Sequence, residues 1–274
     1  MEAVYEKYFR NNLPHIWCAG CGNGIVMGAF ARAIEKLGYE QDEVLAISGI
    51  GCSSRMSGYL DFNSLHTAHG RALAFATGAK MAEPRLKVFV IMGDGDAAAI
   101  GGNHFIHACR RNIDITTIVI NNNIYGMTGG QFSPLTPKGK RATTAPYGSI
   151  DRSFDMMDLA KGAGATYVAR GDVFHAALLT NQIVKAAQHK GFSVLEVLST
   201  CPTSFGRYNK IPQPAAMLHY LEENTVSLAK AAKMTEEELA GKILTGEFYV
   251  AEGEPEYTEE YAKLVASCQE GGEQ

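Results

Sequence analysis

Two short polar segments of the sequence have the residue types that bind a phosphate group together with its metal ion. Gly93-Asp94-Gly95 follows one apolar run, and Asn121-Asn122-Asn123 follows the next. Glycines let the backbone approach phosphate oxygens closely, and the N–H groups at the start of a helix attract negative charge. Carboxylate and amide oxygens suit Mg²⁺, which commonly bridges protein and phosphate. Asp94 and one of the asparagines are therefore candidates to share one hard cation.

Simpler interpretations of these segments exist, and one competing motif fails. Gly-Asp-Gly is common in turns, and asparagines after a strand are common in loops. A dinucleotide-binding fingerprint needs a third glycine at position 98, where this chain has Ala98. Residues 96–120 separate the two segments, which fits one strand–helix–strand unit, and the pair then resembles the thiamine-diphosphate motif. That resemblance implies that Asp94, Asn122 and the backbone carbonyl of Ile124 hold Mg²⁺.

Four of the six cysteines lie in loop sequence rich in Gly, Ser or Pro, and two of them form a C-x-x-C pair: Cys18, Cys21, Cys52 and Cys201. Four such loop cysteines can hold an iron–sulfur cluster. A thioredoxin-like redox pair, a structural zinc site and unrelated buried thiols are the alternatives. The remaining two cysteines have other surroundings. Cys109 lies in a helical pattern that favours packing, and Cys268 is predicted to be a surface thiol.

The elements that must position these residues alternate between helix and strand. Apolar residues at helical spacing predict helices at 24–37, 70–81, 100–111 and 173–189. Short apolar runs predict strands at 44–47, 88–92, 115–120 and 193–198. Buried strands between helices indicate an α/β fold whose mostly parallel sheet is covered by helices on both faces. The composition changes after about residue 210. We therefore expect a domain at 1–210 and an extension at 211–274 without a strand–helix alternation, with a frayed end at Gly271-Gly272.

The overall composition limits the class of protein. A net charge of −4 and a pI near 6.1 argue against binding to nucleic acid or to an acidic membrane surface. The N-terminal residues lack the basic start and apolar run of a signal peptide, so a cytoplasmic protein is expected. Cysteines in a reducing compartment serve metal binding or catalysis more often than disulfides.

Several motifs, in order along the chain, resemble one family: WCAGCG, SGIGCSSR, HTAHGRALAFATGAK, GDGD, NNNIYGMTGGQ and TCPTSFGR. They are similar to the β subunits of two-chain 2-oxoacid:ferredoxin oxidoreductases, within which the resemblance is closest to the 2-oxoglutarate enzymes. The resemblance covers about residues 13–210. It implies a thiamine-diphosphate fold and a [4Fe–4S] cluster on Cys18, Cys21, Cys52 and Cys201.

The same resemblance implies the residues that contact thiamine diphosphate: Ile50, Gly51, Cys52, Ser53, His69, Gly95, Asp96, Gly126 and Met127. It implies that Arg55 faces the substrate carboxylate and that Met127 borders the substrate side chain. The expected reaction is the oxidative decarboxylation of a 2-oxoacid with coenzyme A to acyl-CoA and CO₂, with electrons passed to ferredoxin. The cofactor supplies the electron sink that this decarboxylation requires.

The implied partners are an α subunit that completes the thiamine-diphosphate site, in an (αβ)₂ assembly, and a ferredoxin. Two other functions are weighed against this one. A thiamine-diphosphate decarboxylase or synthase without redox chemistry leaves the loop cysteines unexplained. An iron–sulfur electron-carrier module leaves Gly-Asp-Gly and Asn-Asn unexplained.

Overall fold

The computed structural model describes residues 2–10 and 13–270. Within these residues, strands β1 to β8 span Val44–Ser48, Asn63–His66, Lys87–Gly93, Ile115–Asn121, Tyr167–Asp172, Phe192–Leu198, Thr225–Ser227 and Ile243–Val250. Helices α1 to α11 span Glu2–Tyr8, Asn23–Leu37, Met56–Tyr59, Ala72–Ala82, Gly102–Arg111, Met156–Gly162, Ala176–Gln188, Pro214–Asn224, Leu228–Ala231, Glu236–Leu239 and Tyr257–Glu270. Two 3₁₀ turns span Gln41–Glu43 and Ser53–Arg55, and two π-helical turns span Asp96–Ile100 and Pro202–Gly206. No helix in the described part of the chain is both long and apolar enough to cross a bilayer.

The strands form one sheet in the order β2-β1-β3-β4-β6-β5-β8-β7. All neighbouring strands are parallel except β5 and β8, which are antiparallel. Strands β3, β4 and β6 are apolar runs that are buried almost throughout, as expected for central strands of a parallel sheet. This arrangement confirms the predicted α/β fold with a mostly parallel sheet.

Alternate side chains of the central strands pack against helices on opposite faces of the sheet. On one face, Phe89 and Ile91 of β3 share a core with Phe30 and Ile34 of α2, and α7 packs on the same face. On the other face, Val88 and Val90 belong to a core that includes Leu73 of α4, together with side chains of α5 and α6. Because successive strand residues point to opposite sides, a strand that is buried on both faces is expected to be apolar at most positions.

The carboxyl ends of four adjacent strands carry the segments that the sequence marks as chemical. Strand β1 leads into the loop with Cys52, β3 into Asp94, β4 into Asn122 and β6 into Cys201. The strands β1, β3, β4 and β6 are consecutive neighbours in the sheet, although they are not all consecutive in the chain. Ligands of open α/β sheets bind beyond the carboxyl ends of the strands, so this edge is where the site must form.

The C-terminal extension differs from the prediction because it contains strands. β8 pairs with β5, and β7 pairs with β8, so the extension adds two strands to the main sheet. Arg170 on β5 faces this addition: its guanidinium lies over the Phe248 ring and donates to the Leu244 carbonyl. The expectation that the extension lacks strand–helix alternation was therefore wrong, and the division at residue 210 stays a prediction. The expected fraying at Gly271-Gly272 lies outside the described residues.

Candidate active site

A cleft at the carboxyl edge of the sheet brings together the predicted cofactor residues. Its walls come from the loops after β1, β3 and β4 and from the segment before α4: Ile50, Gly51, Cys52, Ser53, His69, Gly93, Asp94, Gly95, Asp96, Asn122, Ile124, Tyr125, Gly126, Met127 and Thr128. All nine residues expected to contact thiamine diphosphate are among them, as are the three expected to hold Mg²⁺. Their individual roles stay predictions.

Asp94 is the carboxylate that the sequence assigns to the metal, and its side chain is buried. The Ser133 hydroxyl donates a hydrogen bond to Asp94 Oδ2 at 2.5 Å. Burial raises the pKa of Asp94 to about 7, against the opposing effect of the Ser133 hydroxyl and of backbone N–H groups. A buried carboxylate in this situation is stabilised by a nearby cation. The donor set at Asp94 therefore fits a hard metal ion.

Asp96 connects three loops at the cleft. Its Oδ1 accepts hydrogen bonds from the Gly70 N–H at 2.6 Å and the Ile50 N–H at 3.4 Å, and it also contacts the His69 ring. Its Oδ2 is buried and has no hydrogen-bond partner among the described residues. A side chain at Gly49 would lie 2.0 Å from this oxygen. The loop after β1 therefore requires glycine there, and an unpaired acceptor faces that loop.

Glycine at position 95 makes room for an aromatic side chain that the sequence analysis did not single out. A Cβ atom on Gly95 would lie 2.1 Å from the Tyr125 ring, and the Tyr125 hydroxyl donates to the Gly95 carbonyl at 3.1 Å. Burial raises the pKa of Tyr125 to about 12, so the phenol stays protonated and donates. On the same loop, Asn122 Oδ1 accepts a hydrogen bond from the Ile124 N–H at 3.2 Å. This bond fixes the backbone of the predicted Mg²⁺ ligands.

Three residues of the candidate site were missed by sequence reasoning: Tyr125, Thr128 and Ser133. The first two lie inside the NNNIYGMTGGQ segment, so the segment was found but these side chains were not. Ser133 lies in no motif, and only the fold places its hydroxyl against Asp94.

The four loop cysteines meet beside the cleft. A methyl group on Gly126 would lie 3.5 Å from Cys52 Sγ and 3.6 Å from Cys201 Sγ. Burial, together with nearby charge on Cys201, Cys52 and Cys18, raises the pKa of Cys21 to about 12. Burial likewise raises the pKa of Cys52 to about 11, with Cys201 and Cys18 contributing. Thiols with pKa values raised in this way would ionise near neutral pH only if a metal centre neutralised their charge.

The C-x-x-C turn is held in place by hydrogen bonds to distant segments. The Trp17 indole donates to the Cys52 carbonyl at 2.6 Å. The Thr200 hydroxyl donates to the Gly20 carbonyl at 2.9 Å, and the Gly22 N–H donates to the Thr200 carbonyl at 3.3 Å. These bonds join the loops that carry all four cysteines, although the cysteines are far apart in sequence.

The other two cysteines lie elsewhere, as predicted. Cys109 is fully buried on α5, within the core on the opposite face of the sheet from α2, and Cys268 is exposed on α11. Within residues 2–10 and 13–270, no three His, Cys, Asp or Glu side chains surround a point where a single metal ion would bind. The predicted Mg²⁺ site uses only one carboxylate, and a cluster of four irons separates its thiolates more widely than one ion does.

The two predicted substrate-facing residues have different positions. Met127 lines the cleft and is exposed by 46%. Arg55 is exposed at the end of the turn that follows Cys52, and it is not among the residues that line the cleft. Its guanidinium has no hydrogen-bond or ion-pair partner in the described part of the chain, which leaves it available to a carboxylate outside the chain.

A second, larger cavity of about 560 Å³ lies on the other side of the Asn121–Asn123 turn. Asn121 and Asn123 line it, whereas Asn122 lines the cleft. Its lining includes the buried ion pair of Arg170 and Glu196, and also Lys140, Arg152 and Lys242. The smaller cleft is the better diphosphate site because the glycine loops and the predicted Mg²⁺ ligands converge there and not in the larger cavity.

Known proteins match this chain in sequence and in fold. Residues 49–197 match the family of the thiamine pyrophosphate enzyme, C-terminal TPP binding domain. The chain is 59% identical to the 2-oxoglutarate synthase subunit KorB of Methanocaldococcus jannaschii over 94% of this chain and 96% of that protein. It is 52% identical to the KorB subunit of Archaeoglobus fulgidus over 93% of this chain and 98% of that protein. The fold also matches a solved structure of 2-oxoglutarate:ferredoxin oxidoreductase from Magnetococcus marinus with 2-oxoglutarate, coenzyme A and succinyl-CoA bound. The TM-score is 0.86 and the sequence identity is 33%. The alignment covers 95% of this chain and 89% of that chain.

The fold and the cleft define a thiamine-diphosphate enzyme, specifically its C-terminal cofactor-binding domain. Within that class, the chain belongs to the family of KorB subunits of 2-oxoglutarate synthase. The resemblance inferred from the motifs is therefore confirmed.

Proposed function

We propose that this chain is the thiamine-diphosphate-binding subunit of a 2-oxoglutarate:ferredoxin oxidoreductase. The net reaction would convert 2-oxoglutarate, coenzyme A and two oxidised ferredoxins to succinyl-CoA, CO₂, a proton and two reduced ferredoxins. The names of the relatives and the ligands of the Magnetococcus marinus structure support this substrate pair. The observation that carries the proposal is the position of Cys52, which lines the cofactor cleft and also belongs to the group of four thiols.

The first part of the proposal assigns the cofactor site. Asp94, Asn122 and the backbone carbonyl of Ile124 would hold Mg²⁺ against the diphosphate, with Ser133 fixing the Asp94 carboxylate. When bound, thiamine diphosphate supplies the electron sink for decarboxylation. The surrounding contacts are assigned to Ile50, Gly51, Cys52, Ser53, His69, Gly95, Asp96, Gly126 and Met127.

The second part assigns a [4Fe–4S] cluster to Cys18, Cys21, Cys52 and Cys201. The fit is supported by the mutual charge effects of these thiols and by the closeness of Cys52 and Cys201 to Gly126. Cys52 would place the cluster next to the cofactor, so electrons would have a short path out of the cleft. A decarboxylase without redox chemistry gains nothing from this arrangement.

The third part assigns substrate contacts. Arg55 would bind a carboxylate of 2-oxoglutarate, since a guanidinium pairs with carboxylates through two parallel hydrogen bonds. Met127 would border the substrate side chain. The His69 ring, held by Asp96, lies at the open side of the cleft and is about one-third exposed. It would therefore limit access of water to the reacting end of the cofactor.

The fourth part concerns partners and location. An α subunit would complete the cofactor site, in an (αβ)₂ assembly, and a ferredoxin would receive the electrons. The term "subunit" in the names of the relatives supports the existence of a partner chain. We also propose a cytoplasmic location, in keeping with free cysteines and a reducing environment.

The decisive experiment uses the chain purified anaerobically together with its α partner. Reduction of methyl viologen is followed with 2-oxoglutarate or with pyruvate, each with and without coenzyme A. We expect rapid reduction that requires both 2-oxoglutarate and coenzyme A, with pyruvate much slower. Iron, sulfide and thiamine diphosphate are measured in the same sample. Activity that is equal without coenzyme A, or a preparation free of iron, would contradict the proposal.

A further inference from the structure

Charge is distributed very unevenly around the four cysteines. The chain has a net charge of −4, yet residues 13–34, 44–60, 115–150 and 197–221 contain no Asp or Glu. These four segments include all four cysteines of the proposed cluster. They carry only cations: Arg32, Arg55, Lys138, Lys140, Arg141, Arg207 and Lys210. The segments that carry the thiols therefore contain cations and no carboxylates, on a protein that is acidic as a whole.

Three of these cations lie close together on the surface beside Cys201, and we call Arg141, Arg207 and Lys210 the basic rim. Asn209 joins them: it accepts from the Arg141 N–H at 2.9 Å and donates to the Arg141 carbonyl at 3.0 Å. Arg207 and Lys210 flank Asn209 in the chain, and all three rim residues are exposed. In the part of the chain that the structure describes, none of them forms an ion pair, so their charge is not neutralised internally.

The basic rim is connected to the cysteines through a small core and two turns. Ala142, next to Arg141, packs in one apolar cluster with Cys201 and Phe205. The turn Pro202–Gly206 leads from Cys201 directly to Arg207.

Next to the rim, the C-x-x-C turn reaches the surface. Pro214 lies against Gly20, where an added Cβ would be 2.2 Å from the proline ring. Cys18, Ala19 and Gly20 are exposed at that turn. A positive surface therefore adjoins the point where the proposed cluster comes nearest to solvent.

We propose that the basic rim, together with the exposed Cys18–Gly20 turn, is the docking surface for a small acidic iron–sulfur electron carrier of the ferredoxin type. The inference rests on the proposed cluster and adds the place where its electrons leave. Each turnover of the proposed reaction releases two electrons, so a carrier that accepts one electron at a time must dock and leave twice. Transient electron-transfer interfaces are small, and charge complementarity raises the association rate without requiring tight binding. An unpaired basic surface suits that task.

The test uses the complex of this chain with its α partner and a purified ferredoxin of known negative net charge. The variant Arg207→Glu/Lys210→Glu reverses two charges of the rim. The matched control, Lys230→Glu/Lys233→Glu, reverses two exposed charges on α9 and just after it, beside β8. Initial rates are measured against ferredoxin concentration and, separately, with methyl viologen, which is a cation and cannot be repelled by the added carboxylates.

We expect the rim variant to raise the KM for ferredoxin at least tenfold while the methyl viologen rate stays within twofold of the wild type. Raising the salt concentration should raise the wild-type KM and have little effect on the variant, because salt screens exposed charges. The control variant should match the wild type in both assays. Arg207→Lys/Lys210→Arg should also match it, since charge is kept.

Two outcomes would overturn the inference. An unchanged KM for ferredoxin in the rim variant shows that the carrier docks elsewhere. Loss of the α partner on size-exclusion chromatography, together with loss of methyl viologen reduction, shows that the rim binds that subunit instead. Failure of the proposed function is a different result, in which the wild-type complex itself reduces neither acceptor.

Discussion

At the scale of single residues, the site depends on carboxylates and thiols that the fold removes from water. Asp94 and Asp96 are both buried, and burial is the main cause that raises the pKa of each. Hydrogen bonds from Ser133 and from backbone N–H groups offset part of the free-energy cost of burying these carboxylates. The proposed Mg²⁺ would offset the rest of that cost and would make a buried pair of carboxylates tolerable beside a glycine-rich loop.

Asp94→Asn should weaken binding of thiamine diphosphate and Mg²⁺. The amide keeps the size of the side chain and can still accept the Ser133 hydrogen bond, but it removes the negative charge. We expect the dissociation constant of thiamine diphosphate in the presence of Mg²⁺ to rise by about 100-fold, or about 2.7 kcal/mol. Isothermal titration of the αβ complex measures this. Asp158→Asn, an exposed change on α6, serves as the control, and wild-type affinity in the Asp94 variant would disprove the metal assignment.

Cys201→Ser should yield protein with a lost or degraded cluster, because serine is a poor ligand for iron in such clusters and the other three thiols cannot replace it. Cys109→Ser and Cys268→Ser should keep the wild-type content, since these thiols lie on the far face of the sheet and on the surface. Iron and sulfide analysis of the three anaerobically purified variants decides between the assignments. Equal cluster content in all three would refute the four-ligand set.

Arg55→Lys should lower kcat/KM for 2-oxoglutarate about tenfold, since lysine keeps the charge but loses the paired hydrogen bonds of the guanidinium. Arg85→Lys is the matched control because Arg85 lies before β3, at the opposite end of that strand from the cleft. If kcat/KM is unaffected for every 2-oxoacid tested, Arg55 does not contact substrate.

The spacing of the motifs along the sequence predicts more of this site than the residue types alone do. The spacing of Gly-Asp-Gly and Asn-Asn identifies two strand ends, and their glycines mark loops that approach a ligand. Ser133 and Tyr125 escape prediction because their roles come from tertiary contacts with Asp94 and Gly95 across the cleft. A hydroxyl in a long loop has no local pattern that reveals its partner.

At the scale of elements, the prediction succeeds for the buried strands with mostly apolar sequences and fails for the others. β1, β3, β4 and β6 are central, and their apolar runs are unmistakable. β2 is an exposed edge strand with the sequence NSLH, which lacks the β-branched and aromatic residues that are typical of strands. β5 contains Arg170, Gly171 and Asp172 within a fully buried strand, and such residues normally indicate a loop. Tertiary partners, not local preference, place these residues in the sheet.

The buried ion pair between β5 and β6 explains how β5 tolerates its arginine. Arg170 Nε donates to Glu196 Oε2 at 2.5 Å, and Arg170 Nη2 donates to Asp155 Oδ1 at 3.0 Å. Glu196 in turn accepts from the Asn121 side chain at 2.8 Å. The network therefore extends from the added strand β8 to the turn that carries the predicted Mg²⁺ ligands.

Arg170→Met should lower stability by about 3–5 kcal/mol, because it leaves Glu196 buried without a counter-charge. The double variant Arg170→Met/Glu196→Gln should recover a large part of that loss, since no isolated charge remains. The change in stability of these two variants and of Glu196→Gln alone, measured by thermal unfolding, completes a double-mutant cycle. Additive effects of the two single changes would show that the pair is not coupled.

At the scale of the whole molecule, the cleft carries the residues proposed for the diphosphate end of thiamine diphosphate. The acidic residues that line the cleft within the described part of the chain are Asp94 and Asp96, and no glutamate is among its lining residues. Activation of the aminopyrimidine end of the cofactor normally requires a glutamate carried on a separate α/β domain. Such a domain takes roughly 150–200 residues. Within residues 211–274, strands β7 and β8 enlarge the existing sheet and form no second domain of this kind.

The last prediction follows: this chain alone should be catalytically inactive even with its cluster intact and with thiamine diphosphate, Mg²⁺ and coenzyme A added. Ile50 and Met127 at the cleft are exposed by 37% and 46%, as expected for side chains that a second protein covers. Without that cover, water reaches the cleft and the aminopyrimidine end lacks its glutamate. The rate of 2-oxoglutarate-dependent methyl viologen reduction is compared for the isolated chain, the α subunit and their mixture. Only the mixture should be active, and full activity of the isolated chain would mean that it contains a complete site.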